Sequence, residues 1–268
     1  MHHGHSEGGN VDIDGRPAVL SGPHDLSMVY GGGGVFGIGY CVGVAHGLAA
    51  LGVPVATAPA LGTSAGSWAA AAVALGLVYD DVGAMEAPPV PSRRPRVLSD
   101  IARTIFAEAT HPLVSVSAVC LRTRRRHILD GGRYPLSDLV AASSAVPGLL
   151  PPHRIDGRLY VDGGMWSVTS VDAAADARSV IVIAPLAGPH MGPMGRGAGM
   201  LLDRELRAWR KRHPDRAITL IRPNRAIAAH AGRNPMSLFE AEPARAVYPL
   251  AVEQGMRWAD RIQSGVTA

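Results

Sequence analysis

Gly62-Thr63-Ser64-Ala65-Gly66 lies between a short apolar run and an alanine-rich stretch. It fits G-x-S-x-G, the turn in which a serine leaves a strand, opens a helix and is held in a strained backbone with its hydroxyl exposed. Small flanking residues let the chain reverse without Cβ clashes. The helix predicted from Ala65 to Leu75 directs its positive N-terminal end at the serine. The same pattern also fits a tight turn with a capping serine, so the partners that acyl transfer needs decide between the two readings.

Upstream, Asp25 to Tyr30 reads as a mostly apolar strand, and Gly31-Gly32-Gly33-Gly34 follows directly. A helix is predicted from Val35 to Leu51, with Ile38, Val42, Ala45 and Ala49 on one face and Gly52 closing it. A strand, a glycine loop and a helix start present free backbone N–H groups, which suit an anion such as a phosphate or an oxyanion. Gly32, Gly34 and Gly37 also satisfy G-x-G-x-x-G. That dinucleotide fingerprint expects a carboxylate about 20 residues on, and Gly52 to Ala60 contains none. Nucleotide binding is therefore disfavoured.

Downstream, Ala142-Ser143-Ser144-Ala145-Val146-Pro147 precedes Pro151-Pro152 and then Asp156 to Gly164. Arg158 to Val161 reads as a short strand. Asp162 stands at its end, before Gly163-Gly164, where open α/β sheets carry functional groups. An aspartate there also suits a turn in which it caps its own backbone.

These segments, in this order, resemble the patatin-like phospholipase family. The resemblance rests on Gly32 to Gly37, Gly62 to Gly66, Ala142 to Pro147 and Asp162-Gly163-Gly164, and the strand-like Val180 to Pro185 continues it. It implies a three-layer α/β/α sandwich with a mostly parallel central sheet, and hydrolysis of lipid acyl esters by a Ser–Asp dyad. By this resemblance Ser64 is the nucleophile and Asp162 the base. The N–H groups of Gly32, Gly33 and Gly34 form the oxyanion hole, and Gly37, Gly62, Gly66, Gly163 and Gly164 support the motifs. No cofactor and no metal are implied. Family members usually carry Arg or Lys where this chain has Phe36, which bears on head-group preference and leaves an impaired, lipid-binding protein as an alternative. A Ser-His-Asp hydrolase completed by a histidine such as His230 is another, since its order of Ser, acid, His is satisfied. A dyad implies an acid limb in the carboxylate range, not one near the imidazole reference of ~6.5.

A second Asp-Gly-Gly, Asp130 to Gly132, ends the run Arg122 to Leu129, which reads as the second strand of a hairpin. Pro135 then marks a helix start. A hairpin exit accounts for that motif, and Asp162 is preferred.

At 268 residues and 47% hydrophobic content, the chain is long enough for one large α/β domain. That domain is expected over 23–268, after a disordered tail over 1–22 in which His2, His3 and His5 are read as having no defined metal site. No apolar run reaches the ~18 to 20 residues of a membrane span, and no signal peptide is visible. Cys41 and Cys120 sit inside periodic segments and read as buried free thiols of a reducing cytoplasm. The net charge is +4, and Lys211 is the only lysine among 26 basic residues. Those residues cluster at Arg93–Arg96, Arg122–Arg126 and Arg204–Arg216. Without interleaved aromatics they do not suit nucleic acid, whereas peripheral contact with an anionic membrane is compatible with them. Ala87 to Arg96 is a proline-rich loop leading to a helix predicted over Val97 to Ala109. It is short for the family, so no bulky cap is expected. A helix is predicted over Leu201 to His213, and a long helical region over Asn234 to Gln263 with interruptions at Pro243 and Pro249.

Overall fold

The computed structural model describes residues 24–83, 88–232 and 234–264. The expected N-terminal tail and its three histidines lie outside the described residues.

In chain order the elements are β1 (His24–Tyr30), α1 (Gly34–Ala50), β2 (Ala60–Thr63), α2 (Ala65–Ala74), α3 (Tyr79–Gly83), α4 (Val97–Phe106), β3 (Val114–Cys120), β4 (Arg125–Asp130) and α5 (Leu136–Ser143). They continue as β5 (His153–Ile155), β6 (Arg158–Asp162), β7 (Ala177–Ile183), α6 (Gly192–Arg212), β8 (Ala217–Ile221), α7 (Arg225–Ala229) and α8 (Ala241–Gln263). The strands form a single sheet in the order β5-β6-β3-β2-β1-β7-β8, with β4 also paired to β3. Strands β3, β2, β1, β7 and β8 are parallel. The antiparallel strands gather at one end, β4 and β6 against β3 and β5 against β6.

Alternation along the central strands builds the layers. On β1, Met28 and Tyr30 join the larger apolar cluster with α1, α2, α4, α5 and α8, whereas Val29 faces the other way. On β7, Ile181 and Ile183 face the first side. Val180 and Val182 face the second, where Leu202, Leu206 and Trp209 of α6 cover them. The result is the expected α/β/α sandwich with a mostly parallel sheet.

Helix α1 is apolar all round, as befits a helix buried on every side. It lies between the sheet and α8. A Cβ on Gly39, Gly43 or Gly47 would run into the α8 backbone at Ala244, Tyr248 or Val252, and one on Gly255 would meet Val44 of α1. Tyr40 Oη donates to Gln254 Oε1 at 2.9 Å across the same seam. Gly52 ends α1 as expected, with φ 84° and its N–H on the Ala49 carbonyl.

Several boundaries differ from expectation. Helix α4 ends at Phe106 because Ala107 turns to φ 49°. The short α3 intervenes before the proline-rich loop. Helix α6 starts at Gly192, ahead of the expected Leu201. The C-terminal region breaks at Glu240, between a 3-10 turn at Pro235–Phe239 and α8. It does not break at the prolines: Pro243 falls in the first turn of α8, where no N–H is needed, and α8 continues through Pro249. Cys41 and Cys120 are both buried and free.

The α1–α8 seam leaves no room for side chains at its glycines. Gly47→Val should therefore lower unfolding stability by about 2 kcal/mol or more, as overpacking of a rigid backbone contact does. Urea unfolding measures it, and a loss within ~0.5 kcal/mol, the range of neutral surface changes, would refute the close approach.

Candidate active site

Strand β3 sets the site. Its pairing with β4 runs from Ser115 to Cys120 and occupies one edge. The opposite edge is shared by two strands. Parallel β2 reaches Thr63 opposite Ser117, and antiparallel β6 ends with Asp162 opposite Ala118. The two strands thus approach head-on, their last residues held by consecutive positions of β3. Ser64 and Asp162 are brought together at the junction.

Ser64 has φ 53° and ψ −123° and forms the N-cap of α2. This is a costly conformation for a residue with a Cβ, and the surroundings hold it. The Ser64 N–H donates to Ser143 Oγ at 2.9 Å, and Ser143 in turn donates to the Ser117 carbonyl at 2.7 Å. Ser67 Oγ donates to the Ser64 carbonyl at 2.6 Å. Gly62 and Gly66 pack so closely against Ser67 and Tyr30 that neither site has space for a Cβ.

The Ala142–Pro147 segment joins the two halves of the site. Ser143 holds the elbow and Ser144 Oγ accepts the Trp68 indole N–H of α2 at 3.0 Å. The Ala145 carbonyl accepts the Asp162 N–H at 3.0 Å. The role of this segment leaves no local signature, because each bond joins residues far apart in the chain.

Asp162 Oδ1 accepts the Gly164 N–H at 2.6 Å, while Oδ2 is buried without a hydrogen-bond partner among the described residues. Burial pushes the carboxyl up to about 6, against the smaller lowering effects of the Ser64 hydroxyl and the Gly164 N–H. Ser64 is near enough to exert that effect, yet no hydrogen bond of normal geometry joins the pair. Gly163 lies hard against the Ser117 carbonyl.

In the glycine loop the donors divide. Gly31 N–H donates to the Ile183 carbonyl and Gly32 N–H to the Val168 carbonyl, both at 2.8 Å. Gly32 is thus already engaged. Among the expected donors, Gly33 and Gly34 carry N–H groups without a backbone acceptor. Gly34 takes φ 61° beneath the Leu238 carbonyl, where only glycine fits. Gly37 donates to the Gly33 carbonyl and packs beside Ala65. Ala65, at the first position of α2, adds an N–H with no intrahelical acceptor.

An apolar cleft opens from Ser64 between α1, α2 and the proline-rich loop, walled chiefly by Ile38, Trp68, Val90, Leu98, Leu150 and Phe239. Phe36 does not line it. Its ring is fully buried and stacked on Tyr40, at 6.5 Å between centroids. Among the described residues no histidine lines the cleft either. His46 bonds Tyr248, His127 bonds Tyr160, His153 bonds Asp138, and His230 is exposed beyond α7. Asp130 accepts the Gly132 N–H at the hairpin exit, as expected. Among the described residues no group of acidic, histidine or cysteine side chains is placed to hold a metal.

Three outcomes are expected. Phe36→Arg buries a cation in the core, so it should cost several kcal/mol of stability (on the order of 3 or more); a folded variant of unchanged melting temperature would refute this. Ser143→Ala leaves the Ser64 N–H without its acceptor and should cost about 1–3 kcal/mol in urea unfolding, more than Thr104→Ala on the exposed face of α4. The third concerns pH. The folded pKa of Asp162 lies above its ordinary 3.8, so between about pH 4 and 6 the native chain binds more protons than the unfolded chain. The stability tied to this proton is present below about pH 4 and is lost as pH rises through about 6. Asp162→Asn should therefore be more stable than wild type at pH 8, by on the order of 2–3 kcal/mol, with the gap closing near pH 4.

Comparison with known proteins agrees with this architecture. A family model described as Patatin-like phospholipase matches residues 83–175, a span that includes Asp162 and begins beyond Ser64. Uncharacterized NTE family proteins of Mycobacterium bovis and Mycobacterium tuberculosis are 39% identical over 62 residues. That stretch is 23% of this chain and 17% of each relative. The crystal structure of VipD from Legionella pneumophila superposes with a TM-score of 0.51 at 12% identity, covering 90% of this chain and 67% of that one. The fold and the ordered motifs agree with these matches, and over residues 83–175 the chain is similar to the patatin-like phospholipase family.

Proposed function

We propose that this protein hydrolyses acyl esters of lipids, with Ser64 as nucleophile and Asp162 as its base. The observation that carries the reading is the meeting of β2 and β6 on β3, which sets a strained serine against a buried aspartate whose Oδ2 has no other partner among the described residues. The apolar cleft beside Ser64 suits an acyl chain.

In this mechanism Asp162 Oδ2 takes the Ser64 hydroxyl proton as Oγ attacks the ester carbonyl. The negative charge that develops on the carbonyl oxygen is met by the free N–H groups of Gly33, Gly34 and Ala65, aided by the positive end of α2. As the tetrahedral intermediate collapses, Asp162 returns the proton to the leaving alcohol. Water then repeats the sequence on the acyl-enzyme with Asp162 again as base, which frees the fatty acid and restores Ser64. A pKa near 6 keeps Asp162 mostly ionised at neutral pH and basic enough to accept a proton. The histidine-assisted alternative finds no imidazole in the cleft among the described residues. The lipid-binder alternative leaned on Phe36, whose ring faces the core.

Ser64→Ala and Asp162→Asn should each reduce turnover of p-nitrophenyl esters by roughly 10³-fold or more, and the double variant should be little worse than either. Alanine at His111, His127, His153, His190 or His230 should cost less than about tenfold. The acid limb should fall near pH 6, displaced by burial from the carboxylate range expected of a free side chain. It then lies so close to the imidazole reference of ~6.5 that substitution, not the profile, separates the readings. A folded histidine variant as inactive as Ser64→Ala would overturn the dyad.

A further inference from the structure

Beyond Asp162 the chain forms a 3-10 turn whose Met165 and Trp166 are 63% and 54% exposed. The next residues bind the chain to α6: Ser167 and Thr169 both donate to Glu205, at 2.9 and 3.3 Å. Glu205 therefore marks the level at which α6 passes the Asp162 loop. The turns from Gly192 to Arg204 lie ahead of that level, packed on the loop that leaves β7 at the Ser64 edge of the sheet.

Met194, Ala198 and Leu201 stand at helical spacing in line with Glu205 and face the side on which that loop lies. Met194 is 46% and Leu201 63% exposed. Side chains this large and this open, gathered at one edge, mark an interaction surface. Its exposed unpaired charge is mostly positive. Arg196, Arg204 and Arg207 are exposed on the outer flank of α6 and have no ion pair among the described residues. The acidic residues of α6 are engaged: Asp203 holds Arg222 at 2.5 Å and Glu205 holds the two hydroxyls. Asp172, nearby, is gripped by both nitrogens of Arg126, whose guanidinium lies 5.8 Å from the Trp166 ring.

We propose, resting on the lipid-ester reading of the Ser64 site, that Met165, Trp166 and the exposed side of α6 from Met194 to Arg207 form a docking face for an anionic lipid surface. The apolar side chains enter the interface and the arginines meet the head groups. Docking there brings the Ser64 edge of the sheet to the membrane.

Vesicle flotation of the full chain tests this. Vesicles of phosphatidylcholine alone are compared with vesicles that also contain phosphatidylglycerol. Wild type and Ser64→Ala should float equally with the anionic vesicles and little with the neutral ones. Leu201→Asp, and separately Arg204→Glu with Arg207→Glu, should reduce binding by about tenfold or more. Turnover of a soluble p-nitrophenyl ester should stay unchanged in these variants, and near-UV circular dichroism checks their folding. Tryptophan emission should shift to the blue on anionic vesicles, and Trp166→Phe should remove the shift. If Leu201→Asp fails to fold, the exposed arginine reversals and Trp166→Phe still decide. Flotation without any ester turnover would uphold the docking face and reject the hydrolase reading. Absence of flotation, equal flotation on neutral vesicles, arginine variants that bind like wild type, or self-association abolished by Leu201→Asp without vesicle binding would each overturn the proposal.

Discussion

Two strands run toward each other along one edge of β3 and stop one residue apart. Ser117 is paired with Thr63 and Ala118 with Asp162. Backbone hydrogen bonds of a sheet, not flexible side chains, thus set the distance between Ser64 and Asp162. A slip of one residue in either pairing would turn the side chain to the opposite face. Ser143 ties the elbow to β3 through the Ser117 carbonyl, while Ala145 ties β6 to the same segment. The pair is held by two strand pairings and by the segment that carries the Ser143 hydroxyl and the Ala145 carbonyl.

Rigidity of this kind makes a buried aspartate tolerable. Asp162 Oδ2 is buried and finds no hydrogen-bond partner among the described residues, and burial raises the carboxyl's affinity for a proton. In a loosely held site, water would enter or the carboxylate would turn outward. Here Oδ1 is fixed by Gly164 and the strand is fixed by β3 and Ala145. The polar atom left over is a structural cost that the proposed chemistry would use.

Much of this was legible in the amino-acid order. Gly62–Gly66 and Asp162-Gly163-Gly164 pointed to the elbow and the aspartate because tight turns leave local signatures in glycine spacing. Strands β1 and β7 were visible as apolar runs. The engagement of Gly32 with Val168 was not, since Val168 lies in an irregular loop whose path no local pattern reveals. The role of Ser143 was hidden for the same reason: its partner is 79 residues away. The start of α6 contains Gly192, Gly195, Gly197 and Gly199 and reads as a loop by propensity. Its packing on residues 184–191 overrides that preference. Burial of Asp162, and with it the displaced acidity, follows from the assembled fold alone.

The glycine seam between α1 and α8 also bears on when the site comes into being. Helix α1 carries the Gly33–Gly34 donors at its start, yet its partner α8 is made much later; Tyr40 and Gln254 are 214 residues apart. The Leu238 carbonyl beneath which Gly34 fits, and Phe239 in the cleft wall, come equally late. Contacts of such sequence separation form slowly, after much chain entropy has been lost. A chain emerging from the ribosome therefore holds Ser64 and Asp162 well before it holds what seats the oxyanion loop. Synthesis order delays the complete site until nearly the whole described chain is present.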